Sequence, residues 1–270
     1  MIVVYPNGET FLKDNLEFLE KEPDLTGFFR LDAPLVTRSD RNNYVAKAEN
    51  GGKRLVVTLQ EPYSMLVYGD GELTEELFGF LIGNGYRLYS LLGSTPLCEQ
   101  IAAVLEEKFG ICYYEHLGMD FMECTEITEP TDPAVEIPRE ADLDELYECT
   151  VRFIADCGLN DRAEKERIAA GLDSYRIFRA DGKIASMAKK AANQKIAAVY
   201  TRPEYRGKGF ARKVVNCCKN ELIASDGVAK LNVDRKNPIS NHLYRSLGFT
   251  PAFSQGEWRR KSQEFYHQMV

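Results

Sequence analysis

Apolar positions along this chain alternate between a helical and an extended spacing, and the changes of period divide it into elements. Between Thr10 and Lys21, Phe11, Leu12, Leu16, Phe18 and Leu19 recur among acids at helical spacing, which predicts an amphipathic helix. A polar stretch follows. The runs 44–48, 54–59 and 64–68 then read as three strands of a meander, broken by Asn50-Gly51-Gly52 and by Glu61-Pro62. Residues 72–82 carry a helix pattern ended by Gly83-Asn84-Gly85, 87–92 a strand, 96–108 a helix ended by Gly110, and 111–127 one or two further strands. The first half thus reads β-β-β-α-β-α-β-β.

Residues 126–138, EITEPTDPAVEIP, carry three prolines and few large apolar side chains, which predicts a stiff, extended, exposed linker. The domain boundary is placed there, giving domains 1–130 and 131–270, with 135–137 already a first strand of the second. Helices are expected over 142–154 and 162–172, separated by Cys157-Gly158 and Asn160. Strands 175–179 and 183–188 are joined by Asp181-Gly182, a strong hairpin signal. A strand at 196–200, a helix from Phe210, a strand at 230–234 and a helix at 238–247 follow. Residues 249–253 and 257–260 then read as a terminal hairpin. The class is α/β (α+β), with nearly the same element order in both halves.

Composition narrows the function. The chain has 270 residues, 44% hydrophobic and 28% charged, enough for one large or two modest domains. MIVVYPNGET turns polar too soon for a signal peptide and no apolar run reaches the length of a membrane span, so no membrane partner and a cytoplasmic location are expected. Seven cysteines, Cys98, Cys112, Cys124, Cys149, Cys157, Cys217 and Cys218, are scattered without C-x-x-C spacing, which argues against a disulfide framework or structural zinc and reads as small buried hydrophobes. His116, His242 and His267 lack metal-site spacing, so no metal is expected. A formal net charge of −7 argues against a general nucleic-acid binder.

Against that acidic background, Arg202, Arg206, Lys208, Arg212 and Lys213 place five cations in twelve residues. They surround Gly207 and Gly209, between an apolar strand ending Val199-Tyr200-Thr201 and the start of a helix. A strand, a glycine turn and a helix N-terminus in succession direct free backbone N–H groups and the positive end of a helix dipole at one spot, which suits a phosphate. Glycines and cations of this kind also occur at ordinary solvated helix starts. The spacing is neither G-x-x-x-x-G-K-[ST] nor G-x-G-x-x-G.

Arg206-Gly207-Lys208-Gly209-Phe210-Ala211 reads R-x-x-G-x-A and resembles the coenzyme A pyrophosphate loop of the GNAT superfamily of N-acetyltransferases. About 30 residues later, Asn237, Ser240, Tyr244, Gly248 and Phe249 resemble that family's N-x-x-A-x-x-L-Y-x-x-x-G-F pattern, with Ser240 in the small-residue position. The resemblance spans residues 135–260. Sliding 106–111 onto 244–249 superposes the last helices of the two halves, so the fold implied is two GNAT-like domains in tandem, each a mixed, mostly antiparallel sheet flanked by helices. The first copy is degenerate. It has YGDGELTEELFG where the second has YTRPEYRGKGFA, and Glu106 at the place of Tyr244, so it would repel a pyrophosphate.

The resemblance implies acetyl-CoA as co-substrate and an amine as acceptor. The backbones of Val199, Tyr200 and Thr201 would pair with the pantetheine by strand addition. The amides of Arg206, Gly207, Lys208, Gly209, Phe210 and Ala211 would hold the pyrophosphate, with Arg212 or Lys208 reaching a phosphate. Asn237 would bond the pantetheine, although Asn before Pro is also a good helix cap. Tyr244 would be the acid that protonates the departing thiolate; the plainer reading of a tyrosine there is a packed aromatic. Asp234 and Glu257 are candidate bases, each more often a surface or cap carboxylate, and a water chain could replace either. Three readings follow: an N-acetyltransferase with one site in the C-terminal half, a non-catalytic acyl-CoA sensor, and a tandem acyltransferase using a longer acyl-CoA or an aminoacyl-tRNA. The acidic charge disfavours tRNA.

Overall fold

A computed structural model describes residues 1–158 and 162–261; the expected helix break at Asn160 and the residue His267 lie outside them. The chain runs twice through β-α-α-β-β-β-α-β-α-β. The first pass is β1 (Ile2–Val4), α1 (Gly8–Leu19), α2 (Pro23–Asp32), β2 (Tyr44–Asn50), β3 (Lys53–Leu59), β4 (Met65–Gly69), α3 (Thr74–Gly83), β5 (Leu91–Ser94), α4 (Thr95–Phe109) and β6 (Tyr113–Cys124). The second is β7 (Val135–Glu136), α5 (Leu143–Asp156), α6 (Lys165–Ala169), β8 (Tyr175–Ala180), β9 (Lys183–Ala191), β10 (Lys195–Thr201), α7 (Phe210–Asp226), β11 (Ala229–Asp234), α8 (Pro238–Ser246) and β12 (Thr250–Arg260). No helix of the described residues is long and apolar enough to cross a membrane.

Two elements of the first pass escape the hydrophobic pattern. β1 is only three residues long. α2 occupies the stretch read as polar: Pro23 stands at its start, where a missing N–H costs nothing, but it buries only Thr26 and Phe29 and leaves Phe28 and Leu31 exposed, so its apolar positions trace no core-facing stripe. In the second pass, the helix expected over 162–172 is reduced to α6 and a separate 3₁₀ turn at Leu172–Ser174.

The chain forms two compact units, and they are not the sequential halves 1–130 and 131–270. Of the described residues, one contains Met1–Met119 and 253–261; the other contains those between Asp120 and Ala252. In the first unit the strand order β1-β2-β3-β4-β5 continues with β12, whose Gln255, Gly256, Glu257 and Trp258 pair with Ser94, Gly93, Leu92 and Leu91. The expected terminal hairpin is therefore one long strand. Ser254-Gln255-Gly256 reads as a turn, yet Gly256 serves close backbone approach instead: a Cβ there would lie 3.2 Å from the carbonyl oxygen of Leu117. In the second unit the order is β7-β8-β9-β10-β11, with β6 beside β11. Met122 and Cys124 of β6 enter that unit's core, and Trp258 packs against the core of the first.

Each sheet is covered on both faces. In the first unit Leu55, Val57 and Leu59 point toward α3 and α4, and Val56 toward α1 and α2. In the second, Phe178 and Ala188 join Val214, Val215, Cys218 and Leu222 of α7, while Ile177 and Met187 join Leu146 and Cys149 of α5. The pairs β1–β2, β2–β3, β3–β4, β5–β12, β7–β8, β8–β9 and β9–β10 are antiparallel, and β4–β5 and β10–β11 are parallel.

In the first unit the space between β4 and β5 is filled. A Cβ on Gly93 would sit 2.6 Å from the carbonyl oxygen and Cγ2 of Val67. The turn after β4 is also blocked: a Cβ on Gly71 would sit 2.1 Å from Gln100 Oε1, Asp70 caps the turn by accepting from the Glu72 amide, and Glu75 and Glu76 occupy the first turn of α3. We expect Gly93→Ala to destabilise this unit by about 1–3 kcal/mol through overpacking, read as a lowered urea midpoint at unchanged m-value.

Candidate functional site

In the second unit β10 and β11 run side by side for two residue pairs only, Lys195 with Lys230 and Ile196 with Leu231, and then part. A bulge marks the parting. The register of β10 against β9 shifts between Ala197 and Tyr200, and Ala198 takes φ +49°, a left-handed conformation that costs a non-glycine residue roughly 1–2 kcal/mol. Beyond the bulge, Arg202 N donates to Ala185 O and Tyr200 O accepts from Ser186 Oγ, so residues 200 and 202 turn their backbone groups toward β9. By the alternation of a strand, Val199 and Thr201 turn theirs toward the gap.

The glycine loop closes one end of that gap. Pro203–Tyr205 make a 3₁₀ turn, Gly207 and Gly209 adopt φ +75° and +78°, and α7 begins at Phe210. The N-cap is Gly209, which has no side chain to cap with, so the first amides of α7 are left to a ligand or water. No atom comes within 4 Å of a Cβ placed on Gly207 or Gly209. Phe210 anchors the loop, stacked on Phe178 at 4.7 Å.

The five loop cations have separate duties. Arg202 is buried, with Nε donating to Ile184 O and Nη2 to Glu145 and Glu148, so it braces α5 against β9. Arg212 Nη1 donates to Ser246 Oγ and its Nη2 pairs with Glu129 at 2.9 Å; Lys213 pairs with Asp132 and lies over the Phe178 ring. Arg206 Nε donates to Thr201 O and its Nη2 pairs with Asp156 at 2.6 Å. Lys208 lies over the Tyr205 ring.

The linker is exposed, as its composition implies, but its backbone is held. Asn216 and Asn220 of α7 donate to the carbonyls of Glu129 and Pro130, and Asn220 also to Thr131 Oγ1. Lys219, fully buried, donates to Thr128 Oγ1 and Leu247 O, and burial lowers its pKa. Asn216, Lys219 and Asn220 sit at i+4, i+7 and i+8 from Arg212, one face of α7. Their polar character within an apolar helix was the available signal for a bound segment.

Across the gap, Asn237 caps α8, its Oδ1 accepting from Ser240 N at 3.0 Å. Tyr244 is buried against Phe249. Its hydroxyl makes no hydrogen bond among the described residues, and burial, with the nearby Cys157 thiol, pushes its pKa up to about 12. Burial also raises the Tyr200 phenol; Asp156 adds to that rise and Arg152 opposes it. Of the candidate bases, Asp234 accepts from Lys236 N as a turn cap, and Glu257 lies in the first unit, bonded to Ser64 and Arg259. The pairing of Asp156 with Arg206 and the exposure of Cys157, which departs from the buried reading of the cysteines, were not legible beforehand.

Arg202→Met should cost about 1–3 kcal/mol of stability by removing the buried guanidinium from Ile184 O, Glu145 and Glu148, seen as a lower urea midpoint for the unit containing the site.

Residues 148–261 match the family model described as acetyltransferase (GNAT) domain. No curated protein matches the chain. Among solved structures, a GCN5-related N-acetyltransferase from Sphaerobacter thermophilus superposes with TM-score 0.60 at 14% identity, covering 96% of this chain and 95% of its own. An acetyltransferase from the GNAT family from Colwellia psychrerythraea gives 0.58 at 13%, covering 96% and 100%. At these identities the likeness is one of fold.

Proposed function

From the match of residues 148–261 to the acetyltransferase (GNAT) domain, we propose that the protein transfers an acetyl group from acetyl-CoA to a primary amine of a small molecule or protein, at one site in the unit Asp120–Ala252. The observation that carries the reading is the parting of β10 from β11 after two pairs, with the glycine loop at its end. An extended amide chain ending in a pyrophosphate matches that pairing edge and that cradle of amides. The filled gap and acidic turn of the other unit leave no equivalent place.

In this reading Val199 and Thr201 offer their backbone groups to the pantetheine amides, Tyr200 holding the strand between them. Asn237 keeps its Nδ2 for the same chain while its Oδ1 caps α8. The amides of Gly207, Lys208, Gly209, Phe210 and Ala211 take the pyrophosphate, with Arg206 and Lys208 supplying charge. Arg212 secures Glu129 and the end of α8 instead. A neutral amine attacks the thioester carbon, the N–C bond forms as the C–S bond breaks, and Tyr244 gives its proton to the leaving sulfur; the nitrogen releases one proton through water, which returns the phenol to its protonated form. The same burial that raises the phenol raises a thiolate's affinity for a proton, so the transfer stays matched.

Calorimetric titration with acetyl-CoA, followed by thiol release against an amino acid, a polyamine, an aminoglycoside and a lysine peptide, tests this. We expect binding and turnover of at least one amine. Gly209→Asp should abolish binding by setting a carboxylate against the pyrophosphate. Tyr244→Phe should keep binding and lower kcat by about 10²-fold or more. Binding without turnover would turn the reading into that of an acyl-CoA sensor, and no binding would sink both. Because burial pushes the Tyr244 phenol up to about 12, its deprotonation should leave kcat level from pH 8 to about 10.

A further inference from the structure

Among the described residues, one carboxylate of the site pairs with a single cation, and that cation belongs to the loop. Glu145 and Glu148 are bonded to Arg202, and Asp234 caps a turn. Asp156, the last residue of α5, pairs through Oδ2 with Arg206 Nη2 at 2.6 Å, both side chains about half exposed. Arg206 is the first residue of the glycine loop, and its Nε holds Thr201 O on the edge of β10. Asp156 also lies within electrostatic reach of the Tyr200 phenol, and the next residue, Cys157, within reach of Tyr244. The end of α5 thus sets the Asp156 carboxylate on the Tyr200 side of the loop and Cys157 on the Tyr244 side.

A diphosphate arriving at the loop offers Arg206 a better partner than one half-exposed carboxylate, because it brings several anionic oxygens to a guanidinium that pairs in a fork. The exchange would leave Asp156 uncompensated next to the reacting centre. A free carboxylate there attracts a cationic amine and accepts hydrogen bonds from its nitrogen. We propose that Asp156 anchors the acceptor amine, and that Arg206 masks it until the pyrophosphate of the donor draws the guanidinium away. This rests on the acetyl-CoA reading above and names the acceptor as an amine that arrives protonated. Asp156 binds and orients; the ammonium loses a proton to solvent water before it attacks, and the departing sulfur still takes its proton from Tyr244.

Removing the carboxylate should move the two substrates in opposite directions. In calorimetry with acetyl-CoA, Asp156→Asn should bind about 2–5-fold more tightly than wild type, because Arg206 no longer has to be released from a surface ion pair. With the panel amine giving the largest thiol release, the same variant should raise KM about tenfold or more while kcat changes far less, and Asp156→Glu should recover part of that loss. Arg206→Gln should weaken acetyl-CoA binding. A merely structural Asp156 would weaken both substrates together. Unchanged or weaker donor binding in Asp156→Asn, or an unchanged amine KM, would overturn the proposal while leaving the transferase reading standing. Failure of the wild-type protein to bind acetyl-CoA would remove that reading itself.

Discussion

The site of the second unit depends on a refusal to pair. Two parallel strands begin in register and, after Ile196 and Leu231, leave their facing backbone groups to something else. Unpaired N–H and C=O groups inside a protein are costly, so such a gap persists only where the strand is forced out of line. The force is the bulge at Ala198, whose left-handed backbone turns β10 away from its neighbour. Alanine has the smallest side chain that still has a Cβ. The strain is held by the packing of Tyr200 and Met187 on α5 and of Val199 on the α7 side.

The first unit keeps the same strand order and an equally short parallel pair, Met65 with Leu91 and Leu66 with Leu92, but closes the space beyond it. Gly93 against Val67 brings β5 onto β4, and Gln100 stands where a ligand would meet the turn. The two units therefore share a fold and differ in whether the fold has a hole. Acids at the start of α3, favourable beside a helix N-terminus, do for that helix what an anion would do for α7.

Much of this was readable from residue types and spacing, because the decisive features are local. Gly207 and Gly209, the cap at Asn237, the hairpin at Asp181-Gly182 and the alternation along β8 and β9 each follow from a few neighbouring residues. What escaped is nonlocal. Nothing within Ser254-Gln255-Gly256 says that the segment pairs with Leu91–Ser94, and nothing within EITEPTDPAVEIP says that α7 will hold it. The five cations looked alike in sequence; only the tertiary partners Glu129, Asp132, Asp156, Glu145 and Glu148 distinguish structural charges from those facing the loop. α2 was missed because a helix whose apolar positions are largely exposed leaves no pattern to read.

The placement of the last strand bears on how the chain comes to be folded. Leu91–Ser94 find their partner some 165 positions later, at Gln255–Trp258. During synthesis the first unit therefore waits, with one edge of β5 open, while the entire second unit is made and emerges. Contacts of such long sequence separation form late and slowly. The interval is one in which an exposed strand edge meets other chains, and its length is set by the translation rate of the second unit as well as by the stability of the first. A slower passage through residues 120–252 would lengthen that exposure, and a chain stopped short of residue 255 would leave it permanent.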